Sequence, residues 1–537
     1  MKKFCLFVIT CLILPIGGTL AVKDISPADS VEFYNWFNLD MQNDGIPGIS
    51  TDKAYNHLLK DKISTPVVVA VIDGGVDINH EDLVGKIWIN EDEIPGNGID
   101  DDQNGFVDDI YGWNFLGGAN GENIEFETYE VTRIYRKYKE VFNTSDTINL
   151  KGIDLETFNL YRKARKIYHQ KLNKALEDMA LINKFEAGYL RADSIIKSTL
   201  NKDTFSIEEL KTTETSENRE FAMARMMMVN LSENGFDIER LNNFKKHVNT
   251  KINYHFNLEF NPRSIVGDDP ENPNDSIYGN NDVTANTPDH GTFVSGIIAG
   301  NRYNNIGMKG IADNVKIMVI RAIPDGDERD KDIANAIKYA VNNGAHVINM
   351  SFGKDLSPQK GLVDEAIRYA MAHDVLLVHA AGNDGENVDK NPKYPNNTTK
   401  DGLLLSSHWI CTGASAKSAD MHLAGSFSNY GRMSVDLFAP GVNVYSLKPD
   451  NRYDVLDGTS FAAPMVAGTA ALLRSYYPGL TAPEIKEIIL SSVESYKKQK
   501  VRIPSKVLDK KQKKTKFRQL SFTGGLLNVY KAVEMCD

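Results

Sequence analysis

The sequence predicts an α/β fold built on a mostly parallel β-sheet. Four short segments are rich in valine, isoleucine and leucine and show little polar alternation, which is typical of strands buried on both faces of a parallel sheet. They are 66–76 (PVVVAVIDGGV), 315–322 (VKIMVIRA), 346–351 (HVINMS) and 375–381 (VLLVHAA). Helical patterns at 330–343 and 362–373 lie between the last three segments. Strands that alternate with helices of this length indicate βαβ connections, and sites in such sheets gather at the carboxyl ends of strands.

A second region interrupts this alternation. Residues 120–282 are rich in Glu, Lys, Asn and Tyr, and apolar residues recur there at helical spacing, which predicts an amphipathic helix. The recurring residues are Phe158, Tyr161, Ala164, Tyr168, Leu172, Ala175, Met179 and Ile182. Further helices are predicted at 218–231 and 238–248. We therefore expect residues 120–282 to form a helical module inserted in a surface loop, between two parts of one α/β domain at 22–119 and 283–537.

Composition and the N-terminus narrow the class of protein. The net charge of -11 over 537 residues argues against a general nucleic-acid binder. Two lysines precede an apolar run over 4–16, and the small residues before Ala21 fit a cleavage site, which predicts a signal peptide over 1–21 and a secreted or periplasmic protein. The run is too short to remain as a membrane span. Signal removal would leave two cysteines, Cys411 and Cys536, too few for a disulfide framework.

Three segments carry residues that suit peptide hydrolysis, which needs a nucleophile, a base and an orienting acid. Asp73 ends the first predicted strand, at the carboxyl edge of the sheet. His290 opens the run HGTFVSGIIAG, and Ser460 lies in GTSFAAPMVAG. Both runs predict a closely packed helix that begins at the polar residue. The positive end of the first helix favours a neutral, basic imidazole at His290. At Ser460, unpaired N–H groups of the second helix favour a developing oxyanion. Each residue has a structural alternative, namely a turn-forming Asp, a structural His or an N-cap Ser.

A fourth polar residue follows a strand at the same predicted edge. Asn383 lies in LLVHAAGNDG, directly after the last of the four predicted strands. A side-chain amide at this position can donate a hydrogen bond to an oxyanion. A turn asparagine is the structural alternative.

Taken together, these segments resemble a known family. VIDGGVD, HGTFVSGIIAG, AAGND and GTSFAAPMVAG are similar to the four signatures of the subtilisin-like serine proteases (subtilases, peptidase family S8), in the same order of Asp, His and Ser. The resemblance covers about 66–118 and 284–490. It implies a subtilisin-like three-layer fold and a serine endopeptidase whose partners are protein or peptide substrates, with no organic cofactor.

The resemblance also implies a role for each residue. Ser460 would attack the scissile carbonyl, His290 would accept its proton, and Asp73 would orient the imidazole. Asn383 and the N–H of Ser460 would bind the oxyanion of the acyl-transfer intermediate.

The resemblance further implies a substrate-binding segment. Ser351, Phe352 and Gly353 would line the groove and pair their backbone with an extended peptide. Lys393 falls where the family places the floor of its main specificity pocket, and it predicts a preference for acidic or polar substrate side chains.

Calcium is the predicted metal, at two places. The first is a run of oxygen-bearing residues with a turn at glycine, which resembles the start of an EF-hand loop except that position twelve is Tyr111. Its candidate ligands are Asp100, Asp102, Asn104 and Asp108. The second is the pair Asp82 and Asn304, which match positions where subtilisins hold a structural calcium. An acidic turn without a metal is the alternative for the first site.

One charged segment and two other functions remain open. Residues 497–518 carry eleven Lys or Arg and one acid, Asp509, which predicts a solvated surface loop or, alternatively, a polyanion site. The protein is also compatible with a dedicated processing protease or peptide ligase that serves one partner, or with a non-catalytic scaffold. A processing enzyme predicts negligible casein turnover and strong activity on one sequence.

Overall fold

The computed structural model describes residues 34–144, 153–213, 218–236, 238–399, 401–506 and 513–537. The predicted signal peptide lies outside these residues. Within them, one compact unit spans 131–260, and the other comprises 34–130 and 261–537. No helix of the described ranges is both long and apolar enough to cross a membrane.

The larger unit contains the predicted sheet. Its strands and those of two small ribbons are β1 (Val67–Asp73), β2 (Gly112–Asn114), β3 (Val315–Arg321), β4 (Val347–Met350), β5 (Leu376–Ala380), β6 (Trp409–Ser415), β7 (Leu437–Pro440), β8 (Val444–Lys448), β9 (Arg452–Leu456), β10 (Glu494–Ser495), β11 (Lys500–Arg502), β12 (Lys514–Lys516) and β13 (Gly525–Leu526). Nine strands form one sheet in the order β10-β13-β7-β6-β5-β4-β1-β3-β2. Every pairing in it is parallel except β10 with β13. The predicted α/β fold with a mostly parallel sheet is therefore confirmed.

Helices cover both faces of the sheet. The α-helices of the described residues are α1 (Thr51–His57), α2 (Glu130–Thr144), α3 (Ile153–Leu200), α4 (Ile207–Thr212), α5 (Arg219–Glu233), α6 (Ile238–Thr250), α7 (Asp289–Ala299), α8 (Asp330–Asn342), α9 (Lys360–Ala372), α10 (Thr459–Tyr476), α11 (Ala482–Ser491) and α12 (Val529–Glu534). Along β1, Val69 and Val71 pack into the same core as α7 and α10. Ala70 and Ile72 pack into a second core with α8 and α9. Because both faces of β1 are buried, its sequence is apolar without alternation, and the result is the three-layer arrangement.

The carboxyl ends of three neighbouring strands prepare the site. β1 ends at Asp73, and its neighbour β4 ends at Met350, directly before Ser351. β5 pairs with β4 and ends at Ala380, three residues before Asn383. Parallel pairing therefore brings these residues to one edge of the sheet.

The smaller unit is helical, and the predicted helices lie within it. Its helices α3, α4 and α5 share a core that includes Ile196, Leu210 and Phe221. The unit spans 131–260, whereas the sequence suggested 120–282 for the inserted module. The flanking residues contact the larger unit: Glu127 N donates to Asp325 O at 3.0 Å, and Arg263 pairs with Asp332 at 2.7 Å.

Candidate active site

At the end of β1, the buried Asp73 contacts the half-buried His290. The Asp73 carboxylate is 3% exposed, and its Oδ1 accepts a hydrogen bond from Gly74 N at 2.8 Å. His290 is the second residue of α7, and its Nδ1 lies 2.9 Å from both carboxylate oxygens. A Cβ on Gly291 would lie 2.2 Å from Gly75 O and 3.2 Å from Asp73 Cβ. Glycine is therefore what allows α7 to approach β1 closely enough for the pair to form.

The environment of His290 sets its protonation chemistry. Burial disfavours the imidazolium, but the negative charge of Asp73 and its hydrogen bond outweigh burial, so the pKa of His290 is raised above its usual 6.5. With Nδ1–H directed at the carboxylate, neutral His290 leaves Nε2 as the acceptor. A neutral imidazole of this tautomer can act as a general base.

Ser460 begins α10 beside this pair. Gly458 is the N-cap of the helix, and Ser460 follows Thr459, its first residue. The ring of Phe461, the next residue, lies 5.7 Å from the His290 ring. Ser460 Oγ donates to Ser351 O at 3.0 Å, and in the described part of the chain no hydrogen bond joins it to His290. A rotation about χ1 is therefore needed before the two side chains interact, and such bonds commonly tighten only with substrate bound.

Asn383 is oriented by the first residue of α10. Its Oδ1 accepts hydrogen bonds from Thr459 N and Thr459 Oγ1, both at 2.9 Å. Thr459 Oγ1 also accepts from Gly382 N at 3.0 Å. These contacts fix the orientation of the amide through its oxygen. Among the described residues, Nδ2 has no hydrogen-bond acceptor. Thr459 is a positioning residue that the sequence did not single out, because threonine before a helical serine is unremarkable by itself.

The predicted substrate segment lies against Ser460. Ser351 O accepts from Ser460 Oγ, and Ser351 Oγ donates to Ser460 O at 2.7 Å. Ser351 is buried, Phe352 is half-buried and Gly353 is exposed. The structure thus brings the predicted segment next to the predicted nucleophile.

The residue after this segment is a buried lysine, and nothing in the sequence distinguishes it from an exposed one. Lys354 is 4% exposed. Its Nζ contacts Glu130 Oε2 at 2.8 Å and Asp330 Oδ1 at 2.9 Å, and donates to Glu328 O at 2.8 Å. The partners come from residues far away in the chain, so local pattern carries no signal for this cluster.

Lys393 is surrounded by acids. Its Nζ lies 2.7 Å from Asp355, 3.0 Å from Asp384 and 3.6 Å from Glu386. Burial alone would lower the pKa of Lys393, but the carboxylates outweigh it and raise the pKa. One ammonium among three carboxylates leaves the loop with negative charge. The contacts therefore give no support to a preference for acidic substrate side chains at this position.

One predicted calcium site is the pair Asp82 and Asn304. Asp82 is fully buried, and its Oδ1 accepts from Asn304 Nδ2 at 2.7 Å and from Asn301 N at 3.1 Å. Its Oδ2 has no hydrogen-bond partner among the described residues. A buried carboxylate oxygen without a donor fits a cation, although Asn304 presents its nitrogen rather than its oxygen to Asp82.

The other predicted calcium site is the acidic loop, where the structure brings together a different set of carboxylates from the predicted one. Oxygens of Asp100 and Asp102 lie within 4.8 Å of each other and of Glu93, a buried residue that the sequence did not single out. Asp108 instead caps backbone groups, since its oxygens accept from Gly96 N and Gly98 N at 2.7 and 2.9 Å. Asn104 donates to Asp102 and Asp109. Three clustered carboxylates are a donor set that suits a hard cation.

Comparison with known proteins agrees with the fold. The protein-family model described as "Subtilase family" matches residues 64–519 of the sequence. The chain is 39% identical to the thermophilic serine proteinase of Bacillus sp. (strain AK1) over 37% of this chain and 45% of that protein. It is 36% identical to the thermostable alkaline protease of Halalkalibacterium halodurans over 37% of this chain and 51% of that protein, and 36% identical to subtilisin DY of Bacillus licheniformis over 38% and 69%. The chain thus spans about half the length of the first two relatives.

Proposed function

The chain belongs to the subtilase family, and we propose that it is a serine endopeptidase that hydrolyses peptide bonds through Asp73, His290 and Ser460. The observation that carries this proposal is the contact of 2.9 Å between His290 Nδ1 and the buried Asp73 carboxylate, beside the start of α10. A carboxylate that contacts an imidazole forms an activated nucleophile with a neighbouring hydroxyl once that hydroxyl turns to the imidazole.

The first half of the reaction forms an acyl-enzyme. Ser460 Oγ leaves its hydrogen bond to Ser351 O, turns to His290 Nε2, and attacks the scissile carbonyl while Nε2 accepts its proton. The imidazolium then donates that proton to the leaving amine. Asp73 keeps Nδ1 protonated and stabilises the imidazolium without itself taking the proton. Water repeats the sequence on the acyl-enzyme and regenerates the serine.

Oxyanion stabilisation comes from two donors. Asn383 Nδ2 is the free end of an amide whose oxygen is held by Thr459, and the N–H of Ser460 lies in the first turn of α10, where backbone donors are available. The peptide substrate extends along Ser351, Phe352 and Gly353, and pairs with their backbone as an added strand.

Calcium has a structural role in this proposal. Glu93, Asp100 and Asp102 would hold one ion, and Asp82 Oδ2, beside Asn304, would supply a ligand for a second. When bound, calcium offsets the repulsion between clustered carboxylates and stabilises the folded loops. Added calcium at 100 times its dissociation constant stabilises the fold by about 2.7 kcal/mol. We expect Glu93→Gln to lower the calcium-dependent rise in melting temperature by the contribution of the ion in the acidic loop, and the exposed neighbour Glu91→Gln to leave it unchanged.

Export is the remaining part of the proposal. Residues 1–21, outside the described range, carry the charged and apolar pattern of a signal peptide. Cleavage after Ala21 predicts that the exported protein begins at Val22. N-terminal sequencing of exported protein tests this, and an uncleaved N-terminus on exported protein would contradict it.

A fluorophosphonate probe tests the catalytic proposal directly. We expect the wild-type protein to be labelled at one serine and Ser460→Ala to show no labelling, with the variant's melting temperature within a few degrees of wild type. Ser357→Ala is the matched control, because it removes a hydroxyl from the same unit outside the site, and it should label like wild type. Absence of labelling in folded wild-type protein would refute an activated nucleophile and favour the scaffold alternative.

A further inference from the structure

The described part of the basic segment 497–518 contains an exposed two-stranded ribbon. We define the basic ribbon as β11, β12 and their described flanks, 497–506 and 513–518. Its nine cationic residues are all exposed, and it carries no acid: Lys497, Lys498, Lys500, Arg502, Lys506, Lys513, Lys514, Lys516 and Arg518. Such a concentration of one charge on two short strands requires a physical reason.

The ribbon presents its charges on one rigid face. Lys500 lies directly opposite Lys516, and Arg502 lies opposite Lys514. Like charges at directly opposed positions destabilise a pair of strands. Among the described residues, none of these four side chains forms an ion pair with an acid. An anionic ligand would relieve this repulsion.

Packing of the ribbon's inner face holds the two strands in place despite the repulsion between their outward charges. Val501 and Phe517 are fully buried, and the Phe517 ring packs 5.0 Å from the Phe438 ring in the sheet. Arg502 N also donates to Met421 O at 2.8 Å. The ribbon is therefore fixed on the larger unit, and its four outward cations are a preformed surface.

The chain that leaves β11 toward β12 lies against the active-site loop. A Cβ on Gly385, two residues after Asn383, would lie 2.8 Å from Ser505 Cα and 3.0 Å from Lys506 N. Lys506 Nζ lies 3.6 Å from Asp384. From Lys506 to Arg502 the chain advances four residues, or about 13 Å at roughly 3.3 Å per residue. The four outward cations of the ribbon thus begin within about 13 Å of the loop that carries the proposed oxyanion donor.

We infer that the basic ribbon is an exosite that binds acidic segments of peptide substrates outside the cleavage region. This inference rests on the proposed function. An acidic peptide is favoured over a nucleic acid because the ribbon adjoins the proposed peptide-cleaving site, and because the protein's net charge of -11 repels a dense polyanion at long range. Asp384 and Glu386, the acids of the active-site loop beside Lys506, are themselves contacted by Lys393.

The test compares two peptides with one neutral cleavage segment, joined by a short spacer to a tail of four glutamates or four glutamines. With exposed ion pairs that are individually weak, we expect about tenfold higher kcat/KM for the acidic tail at low salt, and a ratio near one in 0.5 M NaCl. Arg502→Gln/Lys514→Gln should lower the ratio about threefold, and addition of Lys500→Gln and Lys516→Gln should remove it. The glutamine-tailed peptide should be cleaved equally by all variants.

The matched control is Lys338→Gln/Arg368→Gln, which removes one exposed Lys and one exposed Arg from α8 and α9 and should leave the ratio at wild-type values. Fluorescence anisotropy of the labelled acidic peptide with Ser460→Ala protein measures binding without cleavage. Binding without any wild-type cleavage would refute the proposed function but keep the exosite. A ratio that survives the four ribbon substitutions, or a single-stranded oligonucleotide of equal charge that binds more tightly than the peptide, would overturn the inference.

Discussion

Replacing Asp73 by asparagine tests the proposed general base at the level of a single proton. Asp73 Oδ1 accepts from Gly74 N, and both carboxylate oxygens lie 2.9 Å from His290 Nδ1. An asparagine that keeps the bond from Gly74 must place its NH2 group toward Nδ1. That group donates, so Nδ1 becomes the acceptor and the proton moves to Nε2, the atom that should receive the proton of Ser460.

The expected loss is large because the wrong tautomer cannot act as the base. The same substitution in another serine protease lowers kcat by about 10⁴, which at about 1.36 kcal/mol per factor of ten corresponds to about 5.5 kcal/mol of lost transition-state stabilisation. The pH profile should shift as well. Activity rises with pH as His290 loses its proton, and in the wild type its pKa lies above 6.5 because of Asp73. Without the carboxylate only burial remains, so the midpoint of residual activity should move below the wild-type value.

The assay is kcat/KM on a neutral fluorogenic peptide between pH 5 and 9. Asp77→Asn is the matched control, since it makes the same change four residues along the chain at a half-buried carboxylate whose bonds come from Asn79 N and Asp450 N. It should leave both the plateau and the midpoint near wild type. An Asp73→Asn variant with activity within tenfold of wild type, or with its midpoint shifted to higher pH, would refute the assigned tautomer.

Two further predictions concern residues around the nucleophile. Asn383→Asp keeps the acceptor that holds the start of α10 but removes the amide donor, so kcat should fall about 10²–10³-fold, the loss known for a side-chain oxyanion donor in subtilisin, with KM nearly unchanged; an unchanged kcat would exclude Asn383 from oxyanion binding. Lys354→Ala removes the ammonium that the buried Glu130 and Asp330 contact, so urea unfolding should show a loss of about 3–5 kcal/mol. The exposed Lys338→Ala should cost under 0.5 kcal/mol, and an equal cost for both would show that the buried cluster does not stabilise the fold.

The sequence predicts those parts of the site that depend on local residue patterns. An apolar strand that ends in Asp73 places that residue at the sheet edge whatever follows it. Small-residue runs after His290 and Ser460 predict closely packed helices, and the structure explains the packing through the approach of Gly291 to Gly75 O. Each of these features needs only a few consecutive residues.

The parts that the sequence does not predict depend on contacts between distant residues. Lys354 and Glu130 are 224 residues apart, and nothing near either residue indicates a buried ion pair. Glu93 joins Asp100 and Asp102 because the loop folds back on itself. Ser460 also turns toward Ser351 rather than His290. This is a choice of rotamer, and sequence pattern carries no information about hydroxyl rotamers.

The length of chain between Asp73 and His290 does not weaken their contact, for two physical reasons. The first is that the pair is held by bonds that bypass the 217-residue connection: Val76 N donates to Val283 O at 3.1 Å, and Asp77 N donates to Thr292 Oγ1 at 2.8 Å. The second is that loop closure becomes costlier only slowly, by about 0.6 kcal/mol for each doubling of loop length.

The helical unit also closes on itself, which removes most of that cost. Thr132 Oγ1 donates to His255 O at 2.7 Å, and Arg136 donates to Phe260 O at 2.7 Å, so the two ends of the unit lie side by side. A folded unit with adjacent ends closes the connection as a short loop would. An insertion of this size between the proposed acid and the proposed base is therefore compatible with a pair held at 2.9 Å, and selection on the helical unit can act without disturbing that distance.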